Sequence, residues 1–102
     1  MKTSELFRRA GQRIERGESS HICYAITGTL APNRVKNKAK NIVIQRLSPH
    51  HTYTGWIASN HPKLWNATDA TASRLDVRQQ KAREGRVNWC KALAEEFEAK
   101  GD

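Results

Sequence analysis

Acidic residues are missing from the middle of this 102-residue chain. No Asp or Glu occurs from residue 19 to residue 68, although the chain as a whole has a net charge of +8. Six basic residues lie in this acid-free segment: Arg34, Lys36, Lys38, Lys40, Arg46 and Lys63. They account for six of the eight net charges. A field of one sign attracts phosphate backbones or acidic protein surfaces, whereas carboxylate-based acid catalysis has no residues to use there.

Cysteine and long apolar runs are scarce as well. Cys23 and Cys90 are too few for a framework of disulfides, and their positions among apolar residues at helical spacing predict core residues. No run approaches the roughly 18–20 apolar residues of a membrane span, and the residues after Met1 lack the apolar centre of a signal peptide. We therefore expect a cytoplasmic protein without a membrane partner.

The apolar content is enough for one modest core. Hydrophobic residues form 37% of the chain, and its mean hydropathy is -0.79. A chain of this length forms one domain and buries roughly 60–65% of its unfolded surface. We therefore expect a single α-helical domain over residues 1–102.

Motifs typical of enzymes and metal sites are absent from the sequence. It has no phosphate-binding glycine loop, no Cys-x-x-Cys pair and no His-Glu-x-x-His. The four histidines are His21, His50, His51 and His61. The adjacent His50 and His51 side chains point in different directions, which argues against a shared metal ion. A reactive cysteine needs an exposed electropositive setting, and the predicted core positions of the two cysteines do not offer one. The sequence predicts a protein that is not an enzyme and that uses no cofactor, no metal and no small-molecule substrate.

Apolar residues at helical spacing predict the first two helices. The stripe of the first consists of Leu6, Phe7, Ala10 and Ile14. Thr3 or Ser4 is placed to cap its N-terminus, and Gly17 is placed to end it. A second, less regular helix begins near residue 20. Its stripe consists of Ile22, Cys23, Ile26 and Leu30.

A third helix is predicted over residues 33–47. Its apolar positions are Val35, Ala39, Ile42, Val43 and Leu47. The β-branched run Ile42-Val43-Ile44 leaves a strand over residues 41–47 as the alternative. The order of a helix, a short turn and a basic helix also invites comparison with a helix-turn-helix, although the connection Thr29-Leu30-Ala31-Pro32 matches that motif poorly.

The last 55 residues divide into an irregular and a regular part. His, Trp, Tyr, Gly and Pro crowd into residues 48–68 without clear periodicity, and a loop of this length is uncommon unless it is functional or contains short elements. From residue 68 or 69 to about residue 99 the pattern predicts a long helix, which Gly85 could divide. The predicted fold is an all-α bundle of four to five helices with a long C-terminal helix.

The third helix is the best candidate for a binding site, because its basic residues cannot belong to the core. The residues expected to contact nucleic acid are Arg34, Lys36, Lys38, Lys40, Asn41 and Arg46, joined by Arg8, Arg9 and Arg13 of the first helix. The partner would be nucleic acid or an acidic host-protein surface. The alternative is that these charges serve only solubility.

Three aromatic residues of the irregular segment are candidates for contacting a partner. Tyr53, Trp56 and Trp65 could stack on bases, or anchor a hydrophobic-centred interface with a host protein, if they are exposed. The alternative is that they form the core of a protein that is short of apolar residues.

Four short motifs carry a resemblance to a known group of proteins. They are Glu15-Arg16-Gly17, Ile22-Cys23-Tyr24-Ala25-Ile26, Tyr53-x-x-Trp56-Ile57 and Arg86-x-x-Trp89-Cys90-x-x-Leu93. Together they resemble small accessory proteins encoded by tailed bacteriophages and prophages. The resemblance implies a protein that acts in the cytoplasm of a bacterial host and often binds and redirects a host factor. It implies no catalytic residue.

Overall fold

The computed structural model describes the backbone of residues 1–67 and 75–102, and the side chains of residues 1–64 and 78–102. These residues form six α-helices and no strand. The helices are α1 (Thr3–Glu15), α2 (Ile22–Gly28), α3 (Asn33–Leu47), α4 (Tyr53–Asn60), α5 (Pro62–Ala67) and α6 (Leu75–Ala99). The predicted all-α class and the long C-terminal helix are confirmed. None of the helices in the described residues is long and apolar enough to cross a membrane.

The core lies chiefly between α1 and α6. Every member of the predicted α1 stripe is fully buried, and so are Trp89, Cys90, Leu93 and Ala94 of α6. The Phe7 ring stacks on Phe97 at 6.1 Å between centroids and meets the edge of Trp89 at 6.2 Å. In α1 and α6 the apolar side of the amphipathic pattern is therefore the side that is buried in the core.

Gly11 allows α1 and α6 to approach closely. A Cβ atom added at Gly11 would lie 3.1 Å from Cβ of Cys90 and 3.8 Å from the main-chain oxygen of Val87. Glycine is a poor helix former, but a larger residue here would have to push the two helices apart.

Gly11→Val should therefore lower the free energy of unfolding by about 1–3 kcal/mol, because overpacking strains a well-packed contact. Gln12→Val is the matched control, since it introduces the same side chain at the next, exposed position of α1. The control should change stability by about 0.5 kcal/mol or less. Urea denaturation of both variants measures the difference, and equal midpoints would contradict a tight α1–α6 contact.

The N-terminus of α1 is satisfied by Asp102 and not by a side-chain cap. The predicted cap by Thr3 or Ser4 is wrong, because the N-cap residue is Lys2 and it makes no side-chain capping bond. Instead the N–H of Ser4 donates to the main-chain oxygen of Asp102 at 3.2 Å, and Oγ1 of Thr3 donates to the Asp102 carboxylate. The two ends of the described chain are therefore held together.

The segment predicted to be irregular contains two short helices, α4 and α5, which is a correction. Thr52 caps α4, because its Oγ1 accepts a hydrogen bond from the N–H of Gly55 at 2.9 Å. The buried residues of α4 are Tyr53, Trp56 and Ile57, which follow the i, i+3, i+4 spacing of a helix. That spacing extends over a single turn, so it was hidden among the histidines and prolines.

Other boundaries also differ from the sequence-based predictions. The helix α3 has the predicted bounds, so the alternative of a strand over residues 41–47 is wrong. The helix α2 ends at Gly28, which leaves Leu30 90% exposed and outside the core. The helix α6 continues through Gly85 without a break. A Cβ there would lie 3.5 Å from Oγ1 of Thr54, which shows that α4 packs closely against α6 at this point. Residues 68–74 of the predicted long helix lie outside the described residues.

Candidate nucleic-acid interface

The helices α1, α2 and α3 form a unit in which each helix contacts the other two. Four residues, 29–32, connect α2 to α3. The first of them, Thr29, is buried, and its hydroxyl donates to the main-chain oxygen of Ala25 at 2.8 Å. A short connection between two helices that both pack on a third has the element order of a helix-turn-helix.

The helix α3 has a core side and a solvent side. Val35, Ala39 and Val43 are buried against the other helices. The solvent side consists of Arg34, Asn37, Lys38, Asn41, Ile44 and Gln45, all of them exposed. Arg, Asn and Gln side chains are the ones that hydrogen-bond most often to base edges in the major groove.

Acids from the C-terminal part of the chain neutralise two of the predicted basic residues of α3. Lys38 forms an ion pair with Asp102, and this hydrogen bond holds the pKa of the Asp102 carboxyl below its usual value. Arg46 pairs with Glu96 at 2.8 Å. Arg8 of α1 is likewise paired, with Glu98 at 2.6 Å. These three cations serve contacts within the protein.

Three cations of α3 have no acidic partner among the described residues: Arg34, Lys36 and Lys40. Nζ of Lys36 donates to the main-chain oxygen of Thr27 at 3.0 Å, near the C-terminal end of α2. The positive charge of Lys40 acts on Cys23 of α2: burial raises the pKa of the Cys23 thiol, and the charge of Lys40 opposes that rise. The side of α3 that faces α2 is therefore positively charged.

A further cation, from α1, lies against the same end of α2. A Cβ atom added at Gly28 would lie 2.8 Å from an Nη atom of Arg13, so the guanidinium rests against the C-terminal end of α2. This helix end carries partial negative charge, which stabilises both Arg13 and Lys36 nearby. Arg9 is exposed one turn earlier on the same side of α1.

Large hydrophobic side chains are exposed in the same region. Tyr24 is 72% exposed, Leu30 90% and Ile44 63%, and none of the three was predicted as a site residue. Tyr24 could have been found, because the buried stripe of α2 is Ile22, Ala25 and Ile26 and Tyr24 lies opposite to it. We define the α2–α3 surface by its exposed and uncompensated residues: Tyr24, Leu30, Arg34, Lys36, Lys40, Asn41 and Ile44.

The aromatic residues predicted to contact a partner lie elsewhere. Trp56 is 3% exposed and Tyr53 9%, and both rings meet the edge of Trp89, at 5.5 and 5.2 Å between centroids. They belong to the core and are not available as anchors, which corrects that prediction. The side chain of Trp65 lies outside the described residues.

The cysteines and histidines do not form a recognisable reaction centre. Both cysteines are free, and burial raises the pKa of the Cys90 thiol to about 12. Cys23 packs against the core but is only half-buried, at the side of a cleft, so its prediction as a core residue is confirmed only in part. The described part of the chain contains no group of three His, Cys, Asp or Glu side chains that could hold a metal ion.

Comparison with protein-family models, curated proteins and solved structures gave no significant match.

Proposed function

We propose that this protein is a non-enzymatic nucleic-acid-binding protein and that the α2–α3 surface is its binding site. The observation that carries the proposal is the distribution of ion pairs. Lys38 and Arg46 are neutralised by acids of the same chain, whereas Arg34, Lys36 and Lys40 are not, within the described residues. Uncompensated cations on an exposed helix are what a phosphate backbone binds.

The side chains around these cations support the same proposal. Asn41 and Arg34 lie on the solvent side of α3, where base edges could be contacted. The exposed ring of Tyr24 offers a flat apolar surface on which an unpaired base could stack. Phosphate contacts would position the nucleic acid, and these two kinds of contact would add affinity or preference.

The biological setting is part of the proposal. The resemblance to accessory proteins of tailed bacteriophages supports a role in the cytoplasm of a bacterial host. There the partner would be nucleic acid or a nucleic-acid-handling complex.

Fluorescence anisotropy with random duplex DNA and single-stranded RNA tests the proposal. If about four phosphates are contacted, affinity for the preferred nucleic acid should fall roughly a hundredfold between about 50 and 200 mM salt. The slope of the logarithm of affinity against the logarithm of salt concentration gives the number of contacts. Absence of binding at the lower salt concentration, or binding that does not depend on salt, would contradict the proposal.

A second candidate function is an adaptor or inhibitor that docks on a host protein. It is favoured by the exposure of Leu30 and Ile44, since large apolar side chains on a surface often mark an interface. Leu30→Ser together with Ile44→Ser separates the two functions. The pair removes no cation, so it should leave the salt slope of nucleic-acid binding unchanged, but it would remove the centre of a protein interface.

A further inference from the structure

A cleft of about 430 Å³ lies beside the α2–α3 surface, between α2, α3, α4 and α6. Its volume falls within the range of small-molecule sites, roughly 300–1,000 Å³. One wall is apolar and consists of Val43, Ile44 and Leu47 of α3. The opposite wall is polar, and Tyr53 and Arg86 are part of it.

The polar wall is positively charged and lacks acids. No Asp or Glu is among the residues that line the cleft, all of which belong to the described part of the chain. Arg86 makes no ion pair with any described residue. His21 also lines the cleft. Burial lowers the pKa of its imidazole, and the positive charge of Arg86 lowers it further. His21 is therefore mainly neutral at pH 7.

The hydrogen bonds of His21 leave the hydroxyl proton of Tyr53 available. Nδ1 of His21 accepts from the N–H of Cys23 at 3.3 Å, so the neutral ring carries its proton on Nε2. Nε2 lies 3.3 Å from Oη of Tyr53 and donates to it. Oη has no second partner among the described residues. The Tyr53 hydroxyl therefore keeps a proton that it can donate, and Tyr53 and Arg86 both line the cleft.

These two donors and the apolar wall match the two halves of a nucleotide. A phosphate monoester accepts several hydrogen bonds and pairs well with a guanidinium. A base is flat and apolar on its faces, which suits the wall of Val43, Ile44 and Leu47. Inorganic phosphate would use only the polar wall, and a nucleoside only the apolar one.

We propose that this cleft binds a nucleoside 5′-monophosphate, with the phosphate at Arg86 and Tyr53 and the base against α3. The inference does not depend on nucleic-acid binding by the α2–α3 surface. The same chemical group could come from a free nucleotide or from the 5′-phosphorylated end of a strand, because the cleft adjoins α3.

Isothermal titration calorimetry with AMP and UMP tests this inference, with adenosine and inorganic phosphate as partial ligands. At least one of the two nucleotides should bind the wild-type protein about tenfold more tightly than either partial ligand. Arg86→Gln should weaken nucleotide binding about tenfold or more, since it removes the charge-assisted contact. Arg83→Gln is the control, because it removes the same charge from α6 outside the cleft.

A second pair of variants tests nucleotide binding independently of any effect that Arg86→Gln has on folding. Tyr53→Phe removes the hydroxyl group and keeps the buried ring, so it should weaken nucleotide binding without unfolding the core. Ser59→Ala removes a hydroxyl group from an exposed position of α4 outside the cleft and should have no effect. If Arg86→Gln does not fold, the comparison of these two variants decides.

The source of the phosphate is found with two oligonucleotides that differ only at the 5′ end. Tighter binding of the phosphorylated strand, abolished by Arg86→Gln, identifies a strand end. Equal binding of both strands, together with binding of AMP or UMP, identifies a free nucleotide. The inference is overturned if neither nucleotide binds at concentrations up to about 10 mM, because a specific site of this size would have a lower dissociation constant than that. It is also overturned if Arg83→Gln has the same effect as Arg86→Gln.

Discussion

Reversal of three charges on α3 should reduce affinity for nucleic acid about a thousandfold at about 50 mM salt. The variant is Arg34→Glu, Lys36→Glu, Lys40→Glu. Each phosphate contact releases about one counterion on binding. Losing that contact therefore lowers the affinity roughly tenfold at this salt concentration. The salt slope should fall by about three as well, and fluorescence anisotropy measures both quantities.

A control with the same net charge separates this site from a general electrostatic effect. Lys63→Glu, Arg83→Glu, Lys91→Glu reverses three exposed cations outside α2 and α3. Both variants lower the net charge from +8 by six units. The control should retain most of the affinity. If both variants lose affinity equally, the α2–α3 surface is not the site and only the total charge matters.

The choice of residues is based on the ion pairs. Lys38 is left unchanged because its partner Asp102 also binds Thr3 and Ser4 at the N-terminus of α1. Reversal of Lys38 would place two negative charges together and disturb the α1 terminus. Lys36 also contacts the end of α2, so circular dichroism must show unchanged helix content in the triple variant before its binding is compared.

Trp89→Ala should lower the free energy of unfolding by about 3–5 kcal/mol. Trp89 is fully buried and its ring is surrounded by those of Phe7, Tyr53 and Trp56. Truncation leaves a cavity between α1, α4 and α6 that these rigid rings cannot fill by small shifts. A domain of this size is stable by only about 5–15 kcal/mol, so this loss removes a large fraction of the total free energy of unfolding.

Urea denaturation followed by circular dichroism measures the loss, and Tyr24→Ala is its control. The control truncates an aromatic ring that is exposed, so its free energy of unfolding should differ from that of the wild type by less than about 0.5 kcal/mol. A stability loss below about 1 kcal/mol for Trp89→Ala would contradict the packing of α1 and α4 against α6 at this ring.

Long periodic helices were predictable from the sequence. The helix α3 begins and ends at the residues that its apolar spacing predicts. The fully buried stripe of α1 and the long C-terminal helix α6 were also predicted correctly. Periodicity is a local property, and a stripe sustained over three or more turns leaves a helix one way to bury it.

Short elements were harder to predict. The helix α4 has eight residues, so its buried set of Tyr53, Trp56 and Ile57 covers little more than one turn. The exposure of Leu30 depends on where α2 ends: the apolar spacing predicts Leu30 as part of the α2 stripe, but the helix ends at Gly28. In such short segments the intrinsic preference of the residues for a helix is small. Packing against α6 and α1 therefore decides the structure.

The sequence by itself determined the helical class, the core stripes and the concentration of positive charge from residue 19 to residue 68, since each of these is a property of residues close together in the chain. Only the tertiary structure decided which cations remain uncompensated. Asp102 and Glu96 are 64 and 50 residues from Lys38 and Arg46, and helix packing brings each pair together. Packing likewise moved Trp56 into the core and left Tyr24 outside. It also brought Arg86 to a cleft beside α3, because contacts between distant segments depend on how the helices cross and not on any local spacing.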